Sequence, residues 1–306
     1  MPGALTEVAF TVARARTMDV GYGRLRGNDL QRPFRGVRSN GVDLAQFRER
    51  CRALAVLFDA HHAVSHLSGA ELLRMPLPQG RAVDDPIEVL SLRGRDGMRR
   101  RGVIGRSTRQ DLPTRRAHGV RVVAPADIWC QLADPRFTVI TPDWLVAIGD
   151  FLISGERTDF GRRPPLCTPD DLVDAVARHG ARPGAGALRL ALDRVRMPVD
   201  SVRETFLRLV LTGAGLPEPI VQFEVATADG DRHADLGYPA ARLLLEYLGD
   251  AHRTSRRRWL EDLTRVQLFQ DAGWDVMMIG AADLEPDPAP LIERVRRKLA
   301  RRHPLP

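Results

Sequence analysis

Two acidic residues, Asp235 and Glu246, stand eleven positions apart in a stretch that reads as two consecutive strands joined by a tight turn at Tyr238-Pro239. Carboxylates placed this way can project side by side at one sheet edge. Oxygen ligands in that arrangement suit Mg²⁺ or Mn²⁺, because a small hard cation keeps several waters and can present one to a phosphate. Glu246 also interrupts the apolar run Leu243-Leu244-Leu245-Glu246-Tyr247, the pattern of a strand buried on both faces. An ionised carboxylate there is costly unless it is paired or metal-bound. The pair admits a purely structural reading too, with each carboxylate meeting an arginine such as Arg232 or Arg242. Glu204 is equally two-sided. It closes the sequence Ser201-Val-Arg-Glu204, which fits a capping box at a helix start, and it could serve as a further carboxylate of the same site.

These residues need a frame. The spacing of Phe206, Leu207, Val210 and Leu211 predicts a helix over 201–214, ended by Gly215. Alternation over 220–226, the dipeptide Asp229-Gly230 and a second strand over 232–236 predict a hairpin. A helix holding Trp259, Asp262, Arg265 and Phe269 then ends at Gly273, before a strand over 274–279. Asp262 and Arg265 lie three apart on one helix face, where an ion pair worth a few tenths of a kcal/mol explains them. The run 253–258, with Arg253, Arg256, Arg257 and Arg258, reads either as a solvated helix start or as a grip on a DNA backbone.

Upstream, the pattern gives a strand near 33–38, helices over 44–58 and from a cap at Ser68, strands over 86–92 and 120–123, and helices over 141–153 and 170–179. The chain of 306 residues exceeds what one core usually serves. We expect a partly ordered segment over 1–45, a domain over 46–165, a helical linker over 166–200 and a domain over 201–306, giving an α/β (α+β) protein.

The net charge is +7, and Lys298 is the chain's one lysine. An arginine-rich surface attracts polyanions such as DNA, although a GC-rich genome produces the same bias. Cys51, Cys130 and Cys167 are far apart and form no CxxC pair, so they read as three buried apolar side chains. His62 and His66 lack the adjacent Glu of a zinc protease. No apolar run is long enough to cross a bilayer, and the start MPGALTEVAF has no basic region followed by an apolar block, so the cytoplasm is the expected compartment.

Several pieces in order, SVRE, AGLPEP, the Asp of HADLGYP, LLLEY followed by Gly and His, WLEDLTR and AGWDVMMI, resemble the very-short-patch-repair-like endonuclease domain known as domain of unknown function 559. The resemblance spans about a hundred residues. It implies a PD-(D/E)XK core, a mixed sheet flanked by helices, with Mg²⁺-dependent cleavage of DNA in defence or repair. Carried over residue by residue, Asp235 and Glu246 become metal ligands and Glu204 a supporting carboxylate. His252 becomes a base or phosphate donor, and Arg265 points to the site. A second resemblance covers about residues 45–160. SHLSGAELLRMPLP and VRVVAPADIWCQLAD are similar to the middle domain of AbiEi-like type IV antitoxins, which implies a cognate toxin as partner. Members of that family often carry an amino-terminal winged helix, of which only FRGVRS resembles a part here.

The chain departs from the nuclease pattern at Leu248, where the family usually has Asp and the wider superfamily Lys. Two outcomes follow: a divergent endonuclease, or a nuclease-like scaffold that binds DNA or regulates a toxin without cutting.

Overall fold

The computed structural model describes residues 3–80, 82, 84–158, 160–248 and 256–302; the side chains of 256–262, 301 and 302 are outside that description. The chain is mixed α/β and divides into two compact units, Met1–Leu145 with Pro169–Leu190, and Val146–Thr168 with Ala191–Pro306. Among the described residues, no helix is long and apolar enough to cross a membrane.

The first unit opens with β1 (Ala9–Thr11), α1 (Val12–Arg16) and β2 (Val37–Ser39), the two strands pairing antiparallel. The segment 1–45, expected to be partly ordered, carries its own buried cluster of Leu5, Phe10, Ala15, Val20 and Leu25. Then come α2 (Phe47–Ala55), β3 (His62–Val64), α3 (His66–Leu72), β4 (Ile87–Ser91), β5 (Val103–Ser107), β6 (Thr114–Ala117), β7 (Val120–Val123) and α4 (Pro125–Leu132). The five strands form one mixed sheet in the order β5-β4-β3-β7-β6.

Helix α3 starts at His66 with Ser65 as its cap residue, two residues before the Ser68 start read from sequence. Ser68 is occupied elsewhere: it is buried, and its hydroxyl accepts the amide of Glu88 on β4 at 2.8 Å. Gly69 lets α3 approach α4 closely, since a Cβ there would meet Ile128 Cδ1 at 2.6 Å. Of the three cysteines, Cys51 and Cys130 are buried as expected, whereas Cys167 is partly exposed.

The chain continues through α5 (Pro142–Ser154), β8 (Arg157–Thr158), β9 (Gly161–Arg162), α6 (Pro169–His179) and α7 (Ala185–Arg194). Residues 166–200 are thus not a linker alone: α6 buries Leu172 and Ala175 completely and belongs to the first unit, which is what an amphipathic helix with one apolar stripe requires.

The second unit is completed by α8 (Val202–Gly213), β10 (Ile220–Thr227), β11 (Gly230–Tyr238), β12 (Leu243–Tyr247), α9 (Arg256–Asp271), β13 (Asp275–Ile279), α10 (Ala281–Leu284) and α11 (Ala289–Arg302). Its sheet runs β10-β11-β12-β13, antiparallel until the parallel β12–β13 pair. Gly230, at φ +87°, makes the hairpin turn that Asp229-Gly230 predicts. One face packs Leu236, Leu243, Leu245 and Ile279 against Leu207 and Leu211 of α8 and Leu291, Val295 and Leu299 of α11. The other packs Val225, Ala234 and Leu244 against Phe269 of α9. The sheet is therefore covered by helices on both sides, as its apolar β12 requires.

Candidate active site

The β11–β12 ladder ends at the Leu236–Leu245 pair, and Asp235 and Glu246 are the next residues along the two strands. There the two side chains replace ladder bonds. The amide of Tyr247 donates to Asp235 Oδ2 at 2.7 Å, and the amide of Asp235 donates to Glu246 Oε1 at 3.3 Å. Like charges held this close repel, so the arrangement needs positive charge nearby. Arg265 of α9 supplies it: its Nη2 donates to Glu246 Oε2 at 2.5 Å. The cation that meets Glu246 is thus Arg265. Arg232 pairs with Asp229, and Arg242 donates to the carbonyls of Gly273 and Ala272, so neither plays the structural role the sequence offered them.

Glu204 joins this pair. The cap hydrogen bond is present, the Glu204 amide donating to Ser201 Oγ at 3.2 Å. Its carboxylate, however, accepts from the amide of Asp200 at 3.1 Å and from Gln222 Nε2 at 3.0 Å, not from the Ser201 amide that a capping box would use. Burial pushes the Glu204 carboxyl well above the usual range, the charge of Asp235 adds to the rise, and Glu246 contributes to a lesser degree. The capping-box reading of Glu204 thus holds for its amide and not for its side chain, which instead feels the charges of Asp235 and Glu246.

Gln222 reaches Glu204 through an irregularity that the sequence conceals. Val221 pairs with Leu236 and Phe223 with Ala234, while Gln222 and Asp235 between them do not pair. Gln222 has φ +47°, a conformation that costs free energy and recurs at functional sites. The hairpin changes face at this point, with Val221 and Leu236 in one core and Phe223 and Ala234 in the other. Because Val221, Phe223 and Val225 keep a regular two-residue period in sequence, nothing in the pattern announces the switch.

Asp235 and Arg265 border a cavity of about 420 Å³ whose wall also includes Gln222, Arg157, Arg162 and Arg232. Glu246 is 1% exposed and lies behind Arg265. Arg162 is itself held, donating from Nη1 to the Val199 carbonyl at 2.9 Å and from Nη2 to Asp200. The contributions of Arg157, Arg162 and Gln222 went unread because they come from short or irregular segments.

The donor set suits a hard divalent cation in chemistry, since Asp235 and Glu246 bring carboxylate oxygens together, with Arg265 on Glu246 and Arg162 near Glu204. Asp235 and Glu246 would hold such an ion. No group of three or more His, Cys, Asp and Glu among the described residues closes on a common point as a complete metal cage. His252 and Arg253 lie outside the described residues, as do the side chains of Arg256, Arg257, Arg258 and Asp262. Leu248 is 40% exposed and its amide donates to the Ile279 carbonyl at 2.7 Å, so the extended backbone continues past β12 and Leu248 falls on the face of Glu246. Lys298 pairs with Asp275.

No family model matches the chain. Over 270 residues, covering 85% of this chain and 91% of theirs, it is 27% identical to two uncharacterized proteins from different strains of Mycobacterium tuberculosis, MT2308 and Rv2248.

Proposed function

We propose that the second unit is a divergent metal-dependent DNA endonuclease domain of the PD-(D/E)XK type, acting in defence or repair in the cytoplasm. The observation that carries this reading is the adjacency of Asp235 and Glu246 just past the end of the β11–β12 ladder, where each side chain accepts a backbone amide of the other strand, beside an arginine-walled cavity. Bound Mg²⁺ or Mn²⁺ would neutralise the acids and supply a water acidic enough to attack a phosphodiester. The chain's own groups do the rest. Asp235 and Glu246 bind the ion, Arg265 fixes the orientation of Glu246, and Glu204 holds a proton that neighbouring positive charge would release. Arg157, Arg162 and Arg232 meet phosphate oxygens by charge-assisted hydrogen bonds. The test is nicking of supercoiled plasmid with Mg²⁺ or Mn²⁺, by wild type and by Asp235→Asn. Metal-dependent nicking lost in the variant supports the reading; nicking absent from wild type, or unchanged in the variant, overturns it.

A second reading has its own support. Arg265 already compensates Glu246, and Leu248 brings neither an acid nor a lysine to the site. In that case the domain is a catalytically degenerate scaffold that binds DNA or regulates a cognate toxin. DNA binding without cleavage, together with thermal stability indifferent to Mg²⁺, would select it.

A further inference from the structure

The first unit contains a cavity of about 390 Å³ between β5, α4 and α6, a size that suits a small molecule. It is unrelated to the carboxylate pair and its chemistry is different. Leu90, Cys130 and Ala175 are buried side chains in its wall, and burial raises the Cys130 thiol so that it stays neutral.

Three nitrogen donors line this space with bonding capacity unfilled by the described residues. The first is His66, buried to 5% exposure and held at φ +50°. Its amide donates to Gln131 Oε1 at 2.9 Å, and its ring meets Phe137 edge-on. Nδ1 lies 2.9 Å from the Ser65 hydroxyl. With the Ser65 hydroxyl donating to Nδ1, the ring hydrogen sits on Nε2, which has no described partner. Burial, reinforced by the charge of Arg106, pushes the imidazole pKa down to about 3, so the ring is neutral at ordinary pH.

The second donor is Arg106. Its guanidinium stacks 3.7 Å above the Phe137 ring and gives Nη2 to Glu88 at 3.1 Å, while Nη1 has no described hydrogen-bond partner. The third is Arg182, which uses Nη1 on the carbonyls of Arg178 and His179. The carboxylates in the wall are already matched: Asp134 is gripped by Arg136, and Asp127 by Arg178, each through two nitrogens. Donors remain unfilled while acceptors are satisfied, which is the condition for capturing an anion.

We propose that this cavity binds a small organic oxyanion, a carboxylate or a phosphate monoester, with its charged end on Arg106, Arg182 and the Nε2–H of His66 and its apolar part on Leu90, Cys130 and Ala175. Because the site lies in the first unit, it stands whether or not the second unit is a nuclease. Calorimetric titration of the full chain in chelator with benzoate, inorganic phosphate and adenosine 5′-monophosphate tests it. The expected result is saturable binding of at least one probe, one per chain, weakened about tenfold or more by Arg182→Gln and by Arg106→Gln and unchanged by Asp235→Asn. Benzoate alone would mark a carboxylate site, and the phosphates alone a phosphate site. Arg182 is exposed, so its variant tests the site even if Arg106→Gln disturbs the Glu88 pair. No saturable binding at millimolar probe, or equal affinity in wild type and both arginine variants, overturns the proposal.

Discussion

The second unit holds two buried clusters of acids and arginines, and they differ in balance. In the first, Asp150 of α5 and Arg208 of α8 are almost fully buried and meet at 2.9 Å. Thr205 Oγ1 and the Arg196 amide complete the carboxylate, and Glu218 takes the other end of the guanidinium. In the second, Glu246 meets Arg265, Glu204 feels the charges of Asp235 and Glu246, and Asp235 and Arg265 open onto a cavity. The first is a closed structural knot. The second sets carboxylates next to space, with the Glu204 carboxyl raised by burial and by the charge of Asp235, which is the condition under which a protein can take up a cation or a proton.

The comparison is sharpest where one cluster should fail and the other should not. Asp150→Ala leaves the Arg208 guanidinium buried with its main partner gone and should lower stability by about 3–5 kcal/mol in denaturant melts, whether or not Mg²⁺ is present. A loss below about 1 kcal/mol would mean that the knot is not structural.

Glu204→Gln should do something of a different kind. The folded state raises the Glu204 pKa above its unfolded value of 4.5, so the stability this group contributes is complete below that value and is lost as pH rises towards the folded pKa. Wild type should therefore lose up to about 1.4 kcal/mol per pH unit relative to the variant across that window. Parallel pH profiles for the two proteins would show that Glu204 shares no charge with the pair.

Leu248→Asp adds an oxygen on the face of Glu246. Leu248 is half-exposed, so the new carboxylate costs little to install, contrary to what a buried position would demand. Mg²⁺ should bind about tenfold more tightly, read as a larger metal-induced rise in melting temperature. If added Mg²⁺ raises neither the melting temperature nor plasmid nicking, the scaffold reading gains. The smallest change is Arg232→Ala. Its pair with Asp229 is exposed, so stability should move by no more than about 0.5 kcal/mol, while the log-log salt slope of DNA binding should fall by about 0.9 if Arg232 touches a phosphate.

Sequence and structure agree best where local rules dominate. The Asp229-Gly230 turn, the apolar β12 and Gly273 after α9 were legible, and with them the adjacency of Asp235 and Glu246 at the end of the β11–β12 ladder. Strands β5 and β6 were not, because they lie in the arginine-rich stretch 93–121, where mostly exposed side chains leave no apolar alternation. Arg265 was legible only through the family resemblance, since its i,i+3 neighbour Asp262 explained it locally. The kink at Gln222 left no trace in the two-residue period. Asp150 and Arg208 were invisible for another reason: their pairing joins positions 58 apart, and nothing local signals it.

That separation bears on how the unit can be inherited. A gene fragment beginning at Ser201 would encode every strand of the β10–β13 sheet together with Asp235 and Glu246, yet it would omit Asp150. Arg208 would then enter the core with only the 39% exposed Glu218 to answer it. The unit is assembled from two non-contiguous segments, Val146–Thr168 and Ala191–Pro306. A contiguous cassette transplants it whole only if it reaches back through α5 and carries α6 along, and a truncation library should recover soluble protein only from clones that retain α5.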